Sequence, residues 1–216
     1  MRILLVAPPG AGKGTQGALI ATHFDVPHIA TGDLLRDHVA RRTPLGLAVQ
    51  DCLDRGELVS DEIVLNIVRD EVEKAKREGR GYVLDGMPRN MTQARAIYQI
   101  ARTLDMTAQV VLHLVADDDE LVRRLLARAA LEHRTDDTEE VVRRRLAIYH
   151  DVTHPIVDWY DQRGILVAVD AMQPVDRVAR QILTALEAMR PLVNLVPESA
   201  RQSIDLTGLG KAFGNH

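Results

Sequence analysis

A glycine-rich turn between a predicted strand and a predicted helix constrains the fold of this chain more than any other feature. The aliphatic run Arg2–Val6 is typical of a buried strand, and a helix is predicted from about residue 12 to residue 24. Between them stands the segment Gly10–Thr15, which reads GAGKGT. Its glycines let backbone N–H groups turn inward around phosphate oxygens, and the helix N-terminus adds the positive end of a dipole. The segment therefore predicts a site for phosphate groups, with Lys13 and the Thr15 hydroxyl directed at them.

The turn departs from the general phosphate-loop pattern at two positions. Ala7 stands where that pattern has its first glycine, and Gly14 separates Lys13 from the hydroxyl residue. Ala7 fits only if its backbone φ is negative, since positive φ is unfavourable for a residue with a Cβ. A purely structural turn is the alternative, but a Gly-x-Gly-Lys core between a strand and a helix favours the phosphate site.

The rest of the chain alternates short apolar runs with amphipathic stretches. Strands are predicted at 26–30, 81–85, 109–115 and 165–169, and helices at 32–42, 45–55, 61–77, 90–104, 117–130, 138–162 and 174–189. Asp117 and Glu120, at the start of one helix, have the spacing of a capping box. The alternation predicts an α/β fold, a doubly wound five-stranded parallel sheet with helices on both faces. Ligands of such sheets bind beyond the carboxyl ends of the strands.

Two stretches are not ordinary connections between a strand and a helix. Residues 30–60 hold more helix than one crossover needs, which predicts an inserted helical segment. Residues 128–138 include the charged loop 131–137 between two helices, and this pattern predicts a short lid. We expect a single domain over residues 1–190. The tail at 191–216 lacks an apolar period and is predicted to be flexible.

Composition argues against several classes of function. The chain has 216 residues, a net charge of -4 and 3% aromatic residues, which argues against a nucleic-acid partner. No apolar run reaches the ~18 residues of a membrane span, so no membrane partner is expected. A single cysteine, Cys52, excludes an internal disulfide. His150 and His154 have a metal-binding spacing but no clear third ligand, so no zinc is expected. Since Met1–Val6 is too short for a signal peptide, we expect a cytoplasmic protein.

Several segments together resemble the adenylate kinase family, which belongs to the nucleoside-monophosphate kinases. Pro9–Gln16 is similar to the phosphate loop of that family and shares its glycine after the lysine. The other segments follow in order along the chain: Thr31–Arg36, Gly56–Asp61, Asp85–Arg89 with Gln93, and Arg134–Asp137 with Arg143–Leu146. The resemblance covers residues 1 to about 189. It implies a P-loop kinase domain of the short-lid form, a monomer that transfers a phosphoryl group from Mg-ATP to AMP and gives two ADP.

The resemblance assigns residues to the donor nucleotide and to the metal. Those expected at ATP are Gly10, Ala11, Gly12, Lys13, Gly14, Thr15, Arg124, Arg128 and Gln173. Arg124 and Arg128 are four apart and so share a helix face, whereas Arg123 is expected in solvent. Asp85, at the end of a strand facing the loop, is expected to hold Mg²⁺ through water, as a Walker-B-type carboxylate does. A helix N-cap without a metal role is the alternative for Asp85.

A second set of residues is assigned to the acceptor nucleotide. Those expected at AMP are Thr31, Arg36, Glu57, Leu58, Val59, Gly86, Met87, Pro88, Arg89, Gln93, Arg134 and Arg145. Arg145 is chosen over Arg143 and Arg144 because it lies beside the predicted buried seam of its helix. Thr31 and Gln93 favour AMP over CMP or UMP, since the pyrimidine-specific relatives tend to carry Ala and Asn there.

Phosphoryl transfer between two nucleotides gathers negative charge, so its catalysis depends on positioning and electrostatic stabilisation. The residues expected to act in catalysis are accordingly Lys13, Arg89, Arg128, Arg134 and Arg145. Two alternatives stay open: a kinase for another nucleoside monophosphate, and a non-catalytic ATP-binding regulatory protein. The second is motivated by Ala7 and by the tail, which has no counterpart in the family.

Overall fold

A parallel sheet forms the centre of the molecule in a computed structural model, which describes residues 1–132 and 138–195. Its strands are β1 (Arg2–Val6), β2 (His28–Ala30), β3 (Tyr82–Asp85), β4 (Val110–Val115) and β5 (Leu166–Asp170). They lie in the order β2-β3-β1-β4-β5, and every neighbouring pair is parallel. The predicted doubly wound five-stranded sheet is therefore confirmed.

Helices connect the strands and cover both faces of the sheet. They are α1 (Lys13–Phe24), α2 (Thr31–Ala40), α3 (Pro44–Asp54), α4 (Asp61–Arg77), α5 (Met91–Thr103), α6 (Asp118–Glu132), α7 (Glu139–Ile148), α8 (Pro155–Asp161) and α9 (Val175–Leu195). The segment between β2 and β3 contains α2, α3 and α4, so the extra helices predicted at 30–60 are present.

Alternation along β1 explains why the sheet has a core on each face. Ile3 and Leu5 belong to one buried cluster, whereas Leu4 and Val6 belong to the other, because successive side chains of a strand point to opposite faces. Helices α1, α6 and α9 contribute to the first cluster, and α4, α5 and α8 to the second. Since Leu5 is in register with Asp85 on β3, the loop after β1 and the end of β3 lie at the same edge of the sheet.

The helix predicted at 138–162 is not a regular α-helix. Between α7 and α8 the chain forms a π-helical turn, Tyr149–Thr153, in which the His154 N–H donates to the Tyr149 carbonyl at 2.7 Å. Pro155 follows directly, and a proline inside an α-helix removes one hydrogen bond and clashes with the carbonyl four residues earlier. The wider π turn accommodates this proline.

The capping box predicted at Asp117 and Glu120 is wrong. Helix α6 begins at Asp118, and the Asp117 N–H donates to the Met172 Sδ atom at 3.4 Å rather than to Glu120. The Glu120 carboxylate binds two arginines of its own helix instead. Local spacing alone does not distinguish a capping glutamate from one that forms ion pairs along the helix.

The last helix is longer than predicted. It was expected to end near Met189, but α9 continues to Leu195 with Pro191 inside it, so five residues of the predicted tail are helical. Residues 196–216, the rest of that tail, lie outside the described residues, as does the loop 133–137 of the predicted lid. None of the helices in the described ranges is long and apolar enough to cross a membrane.

Candidate active site

A polar cleft of about 680 Å³ opens at the carboxyl ends of β1 and β3, where the sequence places its motifs. Its walls come from the loop after β1, from α2, α6 and α7, and from the π-helical turn. The predicted site residues that line it are Gly10, Gly12, Lys13, Gly14, Thr15, Arg36, Leu58, Asp85, Gly86, Pro88, Arg89, Arg124, Arg128 and Arg145. Residues from distant parts of the chain thus meet in one cavity.

The loop after β1 has the conformation that its glycines predict. Gly10 has φ +86°, and a Cβ there would lie 3.0 Å from the Leu125 Cγ and 3.1 Å from the Leu121 carbonyl oxygen. Gly10 therefore permits both the left-handed turn and the close approach of α6. Ala7 is not among the described residues with positive φ, so the condition for an alanine at this position is met.

Lys13 lies at the floor of the cleft among several other charges. Its Nζ donates to the carbonyls of Ala7 at 2.8 Å and Pro8 at 3.0 Å. Burial lowers the pKa of Lys13 to about 8, and the Asp85 carboxylate opposes this shift. Further lowering comes from the positive neighbours Arg89, Arg145 and Arg128. A cleft that concentrates this much positive charge is suited to a polyanion.

Arg89 makes three hydrogen bonds, one through its side chain and two through its backbone. Its N–H donates to the Gln93 Oε1 at 2.7 Å, its Nε donates to the Gly86 carbonyl at 2.7 Å, and its carbonyl accepts from the Thr153 hydroxyl at 2.8 Å. Burial is the main reason that the pKa of Arg89 falls to about 10, and the charge of Arg145 adds to it. The bond to Gly86 orients the guanidinium, the other two bonds fix the backbone that carries it, and the side chain lines the cleft.

Asp85 ends β3 and is 8% exposed. One of its carboxylate oxygens lies 3.8 Å from the His28 Nε2, and its carbonyl accepts from the Thr31 hydroxyl at 3.2 Å. The N-cap of the following helix is Asn90, whose side chain accepts from the Gln93 N–H, so the alternative role of Asp85 as a helix cap is excluded.

The donor atoms around Asp85 suit magnesium. Mg²⁺ prefers oxygen ligands and is usually held by one or two carboxylates together with waters and substrate phosphates. Asp85 offers a carboxylate and Thr15 a hydroxyl, both on the wall of the cleft. Within residues 1–132 and 138–195 no three His, Cys, Asp or Glu side chains form a metal-binding group, so this would be a site shared with substrate rather than a protein cage. The expectation of no zinc stays a prediction.

The three successive arginines of α7 have different surroundings. Arg145 lines the cleft, whereas Arg143 pairs with Glu139 and Arg144 lies 3.9 Å from the Glu57 carboxylate. On α6, Arg124 and Arg128 both line the cleft, and Arg123 is largely exposed. The arginines of these helices that were expected at the nucleotides thus line the cleft, and their contacts with a nucleotide stay a prediction. Arg134 lies outside the described residues.

Other predicted residues lie around the cleft without lining it. These are Ala11, Thr31, Glu57, Val59, Met87, Gln93 and Gln173. Met87 is 1% exposed and belongs to the core, and Gln93 is 2% exposed with its Nε2 donating to Asp61 at 2.7 Å. A hydrogen bond from Arg55 is the main reason that the pKa of the partly exposed Glu57 is lowered. Any contact of these seven residues with a nucleotide remains a prediction.

Gly56, at the end of the inserted segment, touches α7. It has φ +67°, and a Cβ there would lie 2.8 Å from the Val141 Cγ1 and 3.0 Å from the Arg145 Cγ. A larger residue at Gly56 would strain the backbone and would have to displace the Val141 or Arg145 side chain. The insertion thus reaches the helix that carries Arg145 into the cleft.

Sequence reasoning missed the contribution of the π-helical turn. Tyr149 and Thr153 line the cleft, and the Tyr149 hydroxyl lies 2.9 Å from the His113 Nε2. Burial lowers the pKa of His113 to about 4 and raises that of Tyr149 to about 12, so both are neutral near pH 7. The available signal was Pro155, which interrupts the predicted helix.

Comparisons with known proteins agree with this geometry. A sequence model of the family described as adenylate kinase matches residues 5–165. The chain belongs to the adenylate kinase family. It is 43% identical over 189 residues to an adenylate kinase of Thermobifida fusca, covering 87% of this chain and 99% of the relative. An adenylate kinase of Kocuria rhizophila is 45% identical over 186 residues, covering 86% and 98%. One from a Nocardioides species is 41% identical over 199 residues, covering 92% and 100%.

Membership of the adenylate kinase family confirms the resemblance carried by the motifs, and it makes this chain an enzyme. The matched region includes the loop after β1, the insertion, the end of β3 and α7. The elements that build the cleft therefore all fall within the family's sequence pattern.

Proposed function

We propose that this adenylate kinase homologue transfers a phosphoryl group reversibly from Mg-ATP to AMP, giving two ADP. The observation that carries the proposal is the convergence of one lysine and five arginines on the cleft above the glycine-rich loop. They are Lys13, Arg36, Arg89, Arg124, Arg128 and Arg145. Two nucleotides that meet end to end bring several phosphate charges together, and a cluster of fixed cations compensates them.

In this proposal the cleft has a donor side and an acceptor side. The glycine-rich loop with Arg124 and Arg128 would bind the phosphates of ATP, and Arg36 with Arg89 would bind the monophosphate of AMP. Arg145 lies between them on α7, close enough to Arg89 to lower its pKa. Such an arrangement holds the attacking oxygen and the transferred phosphoryl group near each other, which accounts for much of the rate enhancement in this class of reaction.

Lys13 supplies positive charge where negative charge develops in the transition state. With a pKa of about 8 in the protein alone, it is mainly protonated at pH 7, and bound phosphates would stabilise its charged form further. Bound Mg²⁺ neutralises phosphate charge, and Asp85 would hold it through water. The arginines cannot lose their protons at neutral pH and therefore act as fixed charges.

AMP is the proposed acceptor because the chain carries Thr31 and Gln93 where the pyrimidine-specific relatives tend to carry Ala and Asn, and ATP, AMP and ADP are the proposed partners. We propose a cytoplasmic protein without a nucleic-acid or membrane partner, as its composition predicts, and a monomer, since a single copy of the chain supplies six cations to the cleft. The alternative of a non-catalytic ATP-binding regulatory protein was motivated in part by Ala7. Ala7 does not have the positive φ that would strain an alanine at this position. No observation favours a kinase for another monophosphate.

A coupled assay of ADP formation, with Mg-ATP and AMP, CMP, UMP or GMP as acceptor, tests the proposal. We expect kcat/KM for AMP to exceed the others by at least about 100-fold, the discrimination that paired hydrogen bonds to a base can provide. Equal rates with CMP or UMP would contradict AMP specificity. Binding of ATP without any ADP formation would instead favour the regulatory protein.

A further inference from the structure

Glu120 joins two arginines at the start of α6. Its Oε1 accepts from the Arg124 Nε at 2.7 Å and from the Arg123 Nη2 at 2.7 Å, and its Oε2 accepts from the Arg123 Nε at 2.7 Å. Hydrogen bonds from Arg123 and then Arg124 lower the pKa of Glu120 to about 2, so the carboxylate is ionised at neutral pH. Its place in the first turn also favours a negative charge.

The other arm of Arg124 reaches a different element. Its Nη1 donates to the Ala171 carbonyl at 2.9 Å, in the loop between β5 and α9. Arg124 is therefore held between a carboxylate on its own helix and a backbone carbonyl of the loop between β5 and α9. The same loop is joined to the start of α6 by the bond from the Asp117 N–H to Met172 and to β4 by the bond from the Ala171 N–H to Val115.

These bonds fix the side chain without using all of its donors. An arginine fork recognises phosphate in a defined plane, and a side chain that is already oriented loses less conformational entropy on binding. Arg124 lines the cleft and is 27% exposed, whereas Arg123 is 71% exposed and does not line it. The same carboxylate thus holds one arginine that faces the cleft and one that faces solvent.

From this arrangement we infer that Glu120 is a positioning residue for the donor nucleotide and acts through Arg124. The inference rests on the proposed function, because it assigns the α6 side of the cleft to ATP. The competing interpretation is an ordinary ion pair on a helix surface, which contributes little to anything but local stability. The two interpretations differ in which substrate the loss of Glu120 affects.

The test compares Glu120→Gln and Glu120→Ala with the matched control Arg123→Ala, which removes the other partner of the same carboxylate. Calorimetry gives the Kd of ATP and of AMP, and steady-state assays give the two KM values. We expect Glu120→Ala to raise the Kd and KM for ATP about three- to fivefold, the scale of a partly exposed ion pair. Glu120→Gln should lie between Glu120→Ala and the unmodified protein, since it keeps an acceptor oxygen. Both constants for AMP, and all constants of Arg123→Ala, should change less than about twofold.

A double variant decides whether Glu120 acts through Arg124. In the background Arg124→Ala, removal of Glu120 should have no further effect on ATP binding, since the residue through which it acts is gone. Additive effects, equal losses for ATP and AMP, or unchanged ATP binding would each overturn the inference. Because the Kd of ATP is measured without turnover, a protein that binds ATP but forms no ADP would refute the proposed function and still test the role of Glu120.

Discussion

The cleft has two sides that hold their polar side chains in different ways. On the β3 side, which comprises Asp85–Gln93, the Arg89 side chain donates to the Gly86 carbonyl, and the Arg89 backbone is bonded to the buried Gln93 amide and the Thr153 hydroxyl. On the α6 side, which comprises Glu120–Arg128 and the loop 171–174, Arg124 is held by a partly exposed carboxylate and one carbonyl. Each guanidinium donates to one backbone carbonyl, but only on the β3 side is the arginine backbone itself bonded to neighbouring side chains. A partly exposed ion pair such as that of Arg124 with Glu120 fixes a geometry weakly. We therefore expect the β3 side to be the less tolerant of substitution.

Lys13 lies between the two sides, and its loss should have the largest effect. Lys13→Met keeps the length of the side chain but removes the charge, so we expect kcat to fall about 10²- to 10³-fold. The fold should persist, because burial already disfavours this charge and its removal relieves that penalty. Turnover and thermal midpoint measured together check this. A kcat within threefold of the original protein would refute the role of Lys13.

Arg89 provides the sharpest test of the β3 side. Arg89→Lys should lower kcat/KM for AMP about 100-fold, nearly as much as Arg89→Ala, because an ammonium group does not replace a bidentate fork. A buried lysine would also lose part of its charge at neutral pH, whereas Arg89 keeps it with a pKa of about 10.

The substrate dependence of the same two variants is the control. KM for ATP should change less than about threefold if Arg89 serves the acceptor side alone. Recovery of most activity by lysine would contradict bidentate binding and would remove the main difference between the two sides.

The fold and the centre of the site were readable from the sequence because their signals are local. Each strand is a short apolar run, and parallel strands with helical crossovers allow few arrangements. The loop Gly10–Thr15 and the residues Asp85 and Arg89 follow strand ends, so their meeting in one cleft follows from the topology.

What escaped prediction depends on contacts between distant segments. The bond from Thr153 to the Arg89 carbonyl joins residues 64 apart, and the bond from Arg124 to Ala171 joins residues 47 apart. No spacing rule reveals such pairs. The capping box at Asp117 failed for the same reason, since Met172 from another element occupies its N–H. Helix α9 continues past Met189 to Leu195, although Pro191 lies inside it. Helix propensity is only a weak guide to where a single helix ends.

The pH profile distinguishes the lysine from the arginines. A lowered pKa means that Lys13 is protonated below about pH 8 and neutral above it, so kcat/KM should decline as the pH rises through that value. The decline in kcat should occur at higher pH, because bound phosphates favour the charged form. Lys13→Arg should be slower but free of this decline, since a guanidinium keeps its proton. An identical decline in both proteins would assign the titration to another group.

The smallest expected effect concerns buried glutamines on the two sides. On the β3 side, Gln93 uses both ends of its amide, with Oε1 accepting from Arg89 and Nε2 donating to Asp61. Behind the α6 side, Gln16 is 3% exposed, and its Nε2 donates to the Val175 carbonyl at 3.0 Å, but its buried Oε1 has no hydrogen-bond partner among the residues that the structure describes. An unsatisfied buried acceptor is unfavourable by about 1–3 kcal/mol.

The same substitution should therefore have opposite effects at the two positions. Gln16→Leu removes the unpaired oxygen, and the Val175 carbonyl keeps its partner within α9 by helix geometry. Allowing for the lost bond, we expect a gain of about 1 kcal/mol in the free energy of unfolding, or a midpoint about 2–4 °C higher. Gln93→Leu instead leaves the Arg89 N–H without its acceptor and should lower the midpoint by about 2–8 °C. Thermal unfolding of the two variants beside the original protein measures both shifts. A loss of stability in Gln16→Leu as large as that in Gln93→Leu would show that the two amides are equally well hydrogen-bonded. The predicted difference between the two glutamines would then be wrong.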